Sequence, residues 1–216
     1  MAKAPTPGRV KTRLSPPLIP REAAALYRCL LLDTVACATS VRDVTTVVAY
    51  TPVARRATFE ALCPGVALMP QRRGDLGTRL AGVFARLFAR GFRAVVTIGS
   101  DTPTLPVRYL GDAVGMLLGR AADVVLGPAR DGGYYLVGLR SPAPHLFTGM
   151  PWSTRAVCAI TLARARHAGL SVASLPPWDD VDTIDDLRRL ASSLARRPGT
   201  AAPRTRGWLA EGAHRR

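Results

Sequence analysis

The aspartates of this 216-residue chain that could bind a metal ion stand in two stretches that lie far apart in the sequence. Asp101 stands in GSDTPTLP, directly after the apolar run AVVTIG, and Asp180 and Asp182 stand in PPWDDVDTIDDL. A carboxylate at the end of a buried strand is well placed to hold Mg²⁺, which takes one or two protein carboxylates and completes its shell with water and phosphate oxygens. The three aspartates are therefore candidate ligands for Mg²⁺ or Mn²⁺, and Ser100 is a candidate nucleotide contact.

Structural roles compete with this interpretation. Asp101 could be a turn or cap residue before the next helix. Thr183 and Asp186 have the spacing of a capping box, which accounts for Asp186 without any ligand. The aspartates before that cap repel one another unless a cation or a basic surface offsets their charge, or unless they are simply exposed to water.

The N-terminal stretch MAKAPTPGRVKTRL supplies candidate cations. Lys11 and Arg13 follow a turn at Pro7 and Gly8, and in an extended loop they would point to the same side. These four residues are candidates for binding a polyphosphate. The stretch is neither a Walker A loop nor a GxGxxG turn, and a basic loop can equally be a solvated one.

Two glycine-containing loops are further candidates. In QRRGDLGTRL the candidate nucleotide contacts stand at the start of a predicted helix, where backbone N–H groups favour anions, although Asp75 could be no more than a helix cap. They are Gln71, Gly74, Asp75 and Gly77. In ARDGGYYLVGL the candidate acceptor contacts are Asp131, Gly132 and Gly133. A hairpin turn would also explain this motif.

Apolar runs alternate with amphipathic patterns along most of the chain, which predicts a mostly parallel sheet covered by helices on both faces. The predicted strands are 44–50, 66–70, 94–99, 123–128, 134–139 and 171–175. The predicted helices are 21–38, 76–89, 106–118, 154–168 and 184–195. Because ligands lie at the carboxyl ends of the strands in such sheets, the loops described above should form one rim. We expect a single domain over 1–195 and a disordered basic tail over 196–216, with Trp208 and Leu209 docking.

The formal net charge of +15 favours polyanionic partners. Only 6% of the residues are aromatic, and no stretch interleaves aromatics with cations, so nucleic-acid binding is disfavoured. The four cysteines show no metal or disulfide spacing, and no apolar run is long enough to span a membrane. We therefore expect a cytoplasmic protein without a membrane partner; the oligomeric state stays open.

Six motifs together resemble one family. They are AKAPTPGRVKTRL, GDLGTRL, GSDTPTLP, LGPARDGGYYLVGL, PWST and DDVDTIDDL. In this order they are similar to the DUF2064 family, also called rSAM/selenodomain-associated transferase 1, of the nucleotide-diphospho-sugar transferase (GT-A) superfamily. The chain resembles phospholactate guanylyltransferases and molybdenum-cofactor nucleotidyltransferases more distantly.

This resemblance implies a three-layer α/β/α sandwich with a mixed sheet of about seven strands. It also implies that Asp101 and Asp182 bind metal with Asp180 close by, that Lys11 and Arg13 bind phosphate, and that the Gly74–Gly77 loop faces the base or ribose. The loop from Asp131 to Gly133 would border the acceptor or sugar. Relatives carry an apolar first strand of which only Met1 and Ala2 remain here, so we expect an upstream start or a shortened first strand.

Two reactions fit the resemblance. In nucleotidyl transfer, an acceptor phosphate or hydroxyl attacks the α-phosphate of a nucleoside triphosphate, with Lys11, Arg13 and Asp101 as the catalytic residues. In glycosyl transfer, a sugar leaves a nucleotide-diphospho-sugar. Sugar-transferring GT-A enzymes usually show a DxD pair where this chain has SDTP, which favours nucleotidyl transfer. A basic nucleic-acid-binding module without catalysis is the remote alternative.

Overall fold

The computed structural model describes residues 1–196, 199 and 201–213, and this part of the chain has an α/β fold. The strands are β1 (Ala2–Lys3), β2 (Val47–Thr51), β3 (Ala67–Pro70), β4 (Val95–Ile98), β5 (Val124–Pro128), β6 (Tyr134–Leu139) and β7 (Val172–Ser174). The helices are α1 (Pro20–Thr39), α2 (Arg56–Leu62), α3 (Leu76–Phe88), α4 (Val107–Leu118), α5 (Val157–His167), α6 (Ile184–Arg196) and α7 (Pro203–Ala213).

The chain divides into two compact units, each built from segments that are separate in sequence. The first unit comprises Met1–Met69, Gly99–Pro106 and Asp179–Arg216. The second comprises Pro70–Ile98 and Val107–Trp178. The single domain over 1–195 that the sequence led us to expect stays a prediction.

The first unit contains the sheet β1-β2-β3, in which β1 runs parallel to β2. Its first strand has two residues, and Ala2 lies opposite Tyr50 on β2. Tyr50 and Phe59 are fully buried and their rings lie 5.1 Å apart, so α2 covers this sheet with an aromatic contact. Helix α2 was not predicted from the sequence, because its seven residues are too few for a clear apolar period.

Helix α1 begins where the sequence places a helix start signal. Pro20 occupies the first helical position, which needs no N–H donor, and the Glu22 carboxylate accepts a hydrogen bond from the Ile19 N–H at 3.0 Å. Leu26 and Leu30 are fully buried on one face of this helix. They pack with α6 residues in a core that also holds the side chains following the basic N-terminal loop.

Helix α7 lies where the sequence analysis expected a disordered tail. Ala202 and Thr205 are buried, and Trp208 and Leu209 pack against the α1–α6 core, as expected for those two residues. The buried Asp33 carboxylate on α1 accepts hydrogen bonds from the N–H and the hydroxyl of Thr205, both at 2.8 Å. A distant carboxylate therefore caps this helix. The other tail residues (197, 198, 200 and 214–216) lie outside the described part of the chain.

The second unit contains a mixed sheet of order β4-β6-β5-β7. Strand β6 runs antiparallel to both β4 and β5, while β7 is parallel to β5. Val124 and Val125 on β5 are fully buried, as are the inward residues of β6, so the continuous apolar runs of these strands reflect burial on both faces. Phe84 of α3 stacks on Phe147 with the ring centroids 5.6 Å apart.

Most element boundaries agree with the predicted ones, and α5 is the clearest exception. It begins at Val157 rather than at 154, and Thr154 lies before its first turn. The residue at its N-cap position is Ala156, which has no side chain that could cap the helix. Within the described residues, no helix combines the length and the apolar character needed to cross a membrane.

Candidate functional site

The Lys11 side chain is the centre of a charged cluster in the first unit. Its ammonium lies 2.5 Å from Asp101 Oδ2 and 2.6 Å from Asp182 Oδ1, and the side chain is only 6% exposed. Lys11 has a left-handed backbone (φ 48°, ψ 41°) and is followed by a 3-10 turn over Thr12–Leu14. The loop is thus turned rather than extended, and Lys11 and Arg13 nevertheless both approach the Asp182 carboxylate.

Asp101 reaches this cluster because it follows β4 by three residues. The N–H of Val181 donates to the Asp101 carbonyl at 3.2 Å, which ties the SDTP loop to the loop that holds Asp180 and Asp182. Two stretches that are far apart in sequence are therefore joined through backbone as well as through Lys11. The proximity of Asp101 and Asp182 that the metal hypothesis requires is present.

The start of α6 fixes the second acidic stretch. The Asp186 carboxylate accepts hydrogen bonds from the N–H of Thr183 at 2.6 Å and from the N–H of Asp182 at 3.0 Å. Burial raises the pKa of Asp186, but these hydrogen bonds outweigh it and leave the pKa below its ordinary value. The predicted capping box is confirmed, and it leaves the Asp182 carboxylate directed at Lys11.

The carboxylates of Asp101, Asp180 and Asp182 fit a small divalent cation. One oxygen atom from each lies within 4.8 Å of the others. Oxygens on opposite sides of Mg²⁺ are about 4.2 Å apart, since each Mg–O bond is about 2.1 Å long. The triad could therefore hold such an ion after small side-chain shifts, and its oxygen donors are the type that Mg²⁺ and Mn²⁺ prefer.

Lys11 supplies the cation that offsets the repulsion among these carboxylates. Burial disfavours its charged form, but the charges and hydrogen bonds of Asp101 and Asp182 prevail and raise its pKa above the ordinary lysine value. Lys11 therefore stays protonated at neutral pH and occupies part of the space where the triad could hold a metal.

The remaining predicted residues of the basic loop are more exposed. The Arg13 side chain is 67% exposed, and its Nη1 lies 3.9 Å from Asp182 Oδ2, so it borders the cluster from solvent. Pro7 and Gly8 form the centre of a turn closed by a 3.0 Å hydrogen bond from the Arg9 N–H to the Thr6 carbonyl. This turn lies directly before the segment that holds Lys11.

Tyr27 on α1 is a neighbour of the cluster that the sequence analysis did not identify. Its hydroxyl lies 2.7 Å from the Ser100 hydroxyl and accepts a hydrogen bond from the Lys3 N–H at 3.0 Å. Burial raises the pKa of Tyr27. The predicted nucleotide contact Ser100 is itself buried and uses its hydroxyl on Tyr27. In the sequence, Tyr27 is one apolar-face residue among several and gives no separate signal.

The predicted Gln71–Gly77 loop lies in the second unit. Asp75 caps α3 by accepting from the Thr78 N–H at 2.8 Å. Hydrogen bonds from the side chain and from the backbone of Thr78 lower the pKa of Asp75. Gly74 lies directly before this cap. Gly77 faces protein, because a Cβ there would overlap the Phe147 carbonyl oxygen and approach the Trp152 ring to 3.2 Å. Asp75 and Gly77, two of the predicted nucleotide contacts, thus have structural roles that require no ligand. Gln71 is buried.

The DGG loop, also in the second unit, forms the turn of the β5–β6 hairpin. The Gly133 N–H donates to Asp131 Oδ1 at 2.8 Å, and the Gly132 carbonyl accepts from the Cys158 N–H at 2.9 Å. A Cβ at Gly132 would overlap the backbone of Arg155. The hairpin explanation of this motif is thus confirmed, while its acceptor-binding role stays a prediction.

Comparisons with known proteins agree with the α/β fold described above. The model of a family described as "Uncharacterized protein conserved in bacteria (DUF2064)" matches residues 34–154, which is more than half of the chain. A "putative nucleotide-diphospho-sugar transferase" from Desulfovibrio desulfuricans G20 is 34% identical; the match covers 99% of this chain and 93% of that one, with a TM-score of 0.87. This similarity confirms the predicted fold class.

Two solved structures of low identity share the fold alone. A cytidylyltransferase from Leptospira borgpetersenii serovar Hardjo-bovis (strain JB197) is 12% identical, with a TM-score of 0.58 over 86% of this chain and 84% of that one. A CMP:2-keto-3-deoxy-manno-octonic acid synthetase complexed with CTP is 15% identical, with a TM-score of 0.56 over 77% of this chain and 88% of that one. No curated protein matches the chain significantly.

Proposed function

This chain belongs to the DUF2064 family, and on that premise we propose that it is a nucleotide-dependent transferase that carries out nucleotidyl transfer. A nucleoside triphosphate is the donor, and a small phosphorylated or hydroxylated molecule is the acceptor. An acceptor oxygen forms a bond to the α-phosphorus, the bond from that phosphorus to the bridging oxygen breaks, and pyrophosphate leaves.

The observation that carries this proposal is the meeting of Lys11 with Asp101 and Asp182 in a cluster that also holds Asp180. Asp101, Asp180 and Asp182 would hold a divalent ion, and that ion would neutralise charge on the phosphate oxygens. The chemistry of the cluster suits a polyphosphate because it presents a protonated amine beside oxygen ligands for a hard cation.

The chain's own cations bind and orient the phosphates in this proposal. Lys11 carries a full positive charge at neutral pH and donates up to three hydrogen bonds, while the exposed Arg13 guanidinium can bind two phosphate oxygens at once. Together they stabilise the charge that accumulates on the departing pyrophosphate. Pro7 and Gly8 shape the loop that delivers both, and the hydroxyl of Ser100 helps to fix the nearby nucleotide-binding surface through Tyr27.

We assign further roles to two loops of the second unit, and these roles have weaker support. Gln71, Gly74, Asp75 and Gly77 are proposed contacts for the base or ribose. Asp131, Gly132 and Gly133 are proposed contacts for the acceptor. Each set also has the structural role described above, so mutation of these residues is a poorer test than mutation of the charged cluster.

Glycosyl transfer is the second candidate, and one observation favours it. The Desulfovibrio desulfuricans protein, 34% identical over nearly the whole chain, carries the description of a nucleotide-diphospho-sugar transferase. In that reaction the same charged cluster would bind the diphosphate of a nucleotide-sugar. We favour nucleotidyl transfer because the stretch after β4 reads SDTP rather than DxD, and because two cations suit a triphosphate.

A product assay tests both candidates. The protein is incubated with Mg²⁺ and, in separate reactions, with nucleoside triphosphates or nucleotide-sugars in the presence of a pool of small phosphorylated metabolites. We expect pyrophosphate from a triphosphate; release of a nucleoside diphosphate from a nucleotide-sugar would instead identify glycosyl transfer.

Variants tie the activity to the cluster. Asp101→Asn should reduce turnover by at least a hundredfold, since it removes a carboxylate ligand of the proposed metal ion and the ion-pair partner of Lys11. Asp185→Asn is the matched control, because Asp185 is exposed and pairs with Arg188 on α6 at 3.0 Å, and it should keep nearly full turnover. Full activity in the Asp101 variant would refute the assigned site.

A further inference from the structure

Lys11 is one of only two lysines in a chain that holds 28 arginines. Lys3, the other one, has an exposed side chain on β1. An ammonium is a compact point charge, whereas a guanidinium is a broad planar fork. The compact group is the one that fits in a nearly buried position between two carboxylate oxygens at 2.5 and 2.6 Å.

The same two carboxylates cannot fully serve Lys11 and a metal ion at once. Asp101 Oδ2 and Asp182 Oδ1 accept hydrogen bonds from the ammonium, and both residues belong to the candidate metal triad. A divalent ion bound there would lie close to the ammonium, and the two positive charges would repel each other in a partly buried environment. A metal ion must therefore either displace the Lys11 ammonium or bind more weakly because of this repulsion.

A phosphate group offers the displaced ammonium an alternative partner. Lys11 sits in a turned surface loop, and its four-carbon stem is flexible, so its ammonium can exchange one anionic partner for another with little backbone change. A polyphosphate brought beside the cluster supplies the negative charge that the two carboxylates lose to the metal. The exposed Arg13 guanidinium, close to Asp182, adds a first contact for that polyphosphate.

We propose that Lys11 couples metal binding to nucleotide binding. In the free protein its ammonium pairs with the carboxylates of Asp101 and Asp182 and so opposes the binding of a divalent ion there. When a nucleotide binds, its phosphate attracts the ammonium away from these carboxylates. This inference rests on the proposed function, because it takes the triad as the metal site. It predicts that the free protein binds the ion weakly and that nucleotide and metal bind together.

Metal binding without nucleotide is the direct test. Electron paramagnetic resonance of Mn²⁺ at pH 8 is used to titrate the wild-type protein and Lys11→Met. We expect Lys11→Met to bind Mn²⁺ at least tenfold more tightly, because the competing cation is gone. Lys3→Met is the matched control and should bind Mn²⁺ like the wild-type protein. Asp182→Asn should weaken Mn²⁺ binding in the Lys11→Met background, which identifies the site measured.

The outcomes separate the two proposals. If the wild-type protein binds one Mn²⁺ and Lys11→Met binds it no more tightly, the coupling by Lys11 is refuted while the proposed function stands. If no variant binds Mn²⁺, or if Asp182→Asn has no effect, the metal site itself is refuted and the coupling falls with it.

A measurement on the wild-type protein covers the case in which Lys11→Met does not fold. With ¹³C- and ¹⁵N-labelled lysine, only two lysine side chains contribute signals, and Lys3→Met assigns them. Millimolar Mg²⁺ alone should leave the Lys11 side-chain signal in place, while Mg²⁺ with a nucleoside triphosphate should shift it. A shift of the same size with Mg²⁺ alone would contradict the proposal.

Discussion

At the scale of single residues, charge type and side-chain size decide what the candidate site can do. Lys11 joins two of the three clustered carboxylates, because a lysine ammonium is small enough to contact Asp101 and Asp182 together. The Lys11 ammonium thereby offsets the repulsion between neighbouring aspartates that the sequence led us to expect, since close carboxylates need a cation. In the proposed coupling, metal binding depends on where that ammonium lies.

Gly77 shows that a residue in a predicted nucleotide loop can be required by packing. It is buried near the start of α3, where a Cβ would overlap the Phe147 carbonyl oxygen. By contrast, Gly111 lies exposed on α4, and a Cβ there would meet no other atom within 4 Å. Alanine substitutions at these two glycines therefore distinguish the steric cost of an added Cβ from the general effect of alanine on helix stability.

We predict opposite effects of alanine at these two positions. Gly77→Ala should lower the melting temperature by about 3–6 °C, because overpacking costs about 1–3 kcal/mol and improved helix propensity recovers under about 1 kcal/mol. Gly111→Ala should leave the melting temperature unchanged or raise it by a few degrees. Differential scanning calorimetry measures both; equal melting temperatures for the two variants would contradict the packing explanation.

At the scale of elements, helix α7 depends on a carboxylate from another part of the chain. Asp33 on α1 is buried and accepts hydrogen bonds from the N–H and hydroxyl of Thr205, and from the N–H of Arg204 at 3.3 Å. This carboxylate satisfies donors at the helix N-terminus, where an anion is also favoured by the helix dipole. The apolar contacts of Trp208 and Leu209 then hold the helix against the α1–α6 core.

Removal of the Asp33 carboxylate should release α7. Asp33→Ala leaves buried N–H and hydroxyl donors without an acceptor, which costs about 2–4 kcal/mol. Hydrogen exchange followed by mass spectrometry should show lost protection over Pro203–Ala213, with α4 unaffected. Glu60→Gln is the control, since Glu60 forms an exposed pair with Arg56 on α2 and should change stability by less than about 0.5 kcal/mol. Retained protection in α7 would refute the capping role of Asp33.

At the scale of the whole molecule, the excess of arginine favours the approach of polyanions. The formal charge is +15, and the chain has twice as many basic as acidic side chains. A nucleoside triphosphate approaches such a protein through a field that is long-ranged at low ionic strength, because the screening length is about 30 Å at 0.01 M salt and about 10 Å at 0.1 M. The charge therefore acts on encounter with the nucleotide rather than on the chemical step.

We predict that the KM for the nucleoside triphosphate rises by about threefold to tenfold between 20 and 200 mM NaCl, while kcat changes little. Steady-state kinetics of pyrophosphate release measure both constants. Competitive inhibition by the corresponding uncharged nucleoside is the control, and its inhibition constant should be nearly independent of salt. A nucleotide KM that does not change with salt would show that the net charge plays no part in binding.

Local features of the sequence were enough to predict most elements. Continuous β-branched runs such as the one in β4 predict buried strands, and the pattern of Leu76–Phe88 predicts an amphipathic helix that the structure contains. The Thr183–Asp186 spacing predicts the cap of α6. These signals are readable because they depend on neighbours within one or two helical turns. Helix α2 is too short to give such a signal, and α7 owes its docking to a carboxylate on α1.

The sequence by itself determined the fold class, the acidic and basic motifs, and the expectation that Asp101 and Asp182 meet. Only the tertiary structure decided that the cation between them is Lys11, that Arg13 stays exposed, and that Gly77 serves packing. The physical reason is that side-chain position depends on the local backbone. The backbone at Lys11 is left-handed rather than extended, and a pattern of residue types along the chain does not encode that conformation.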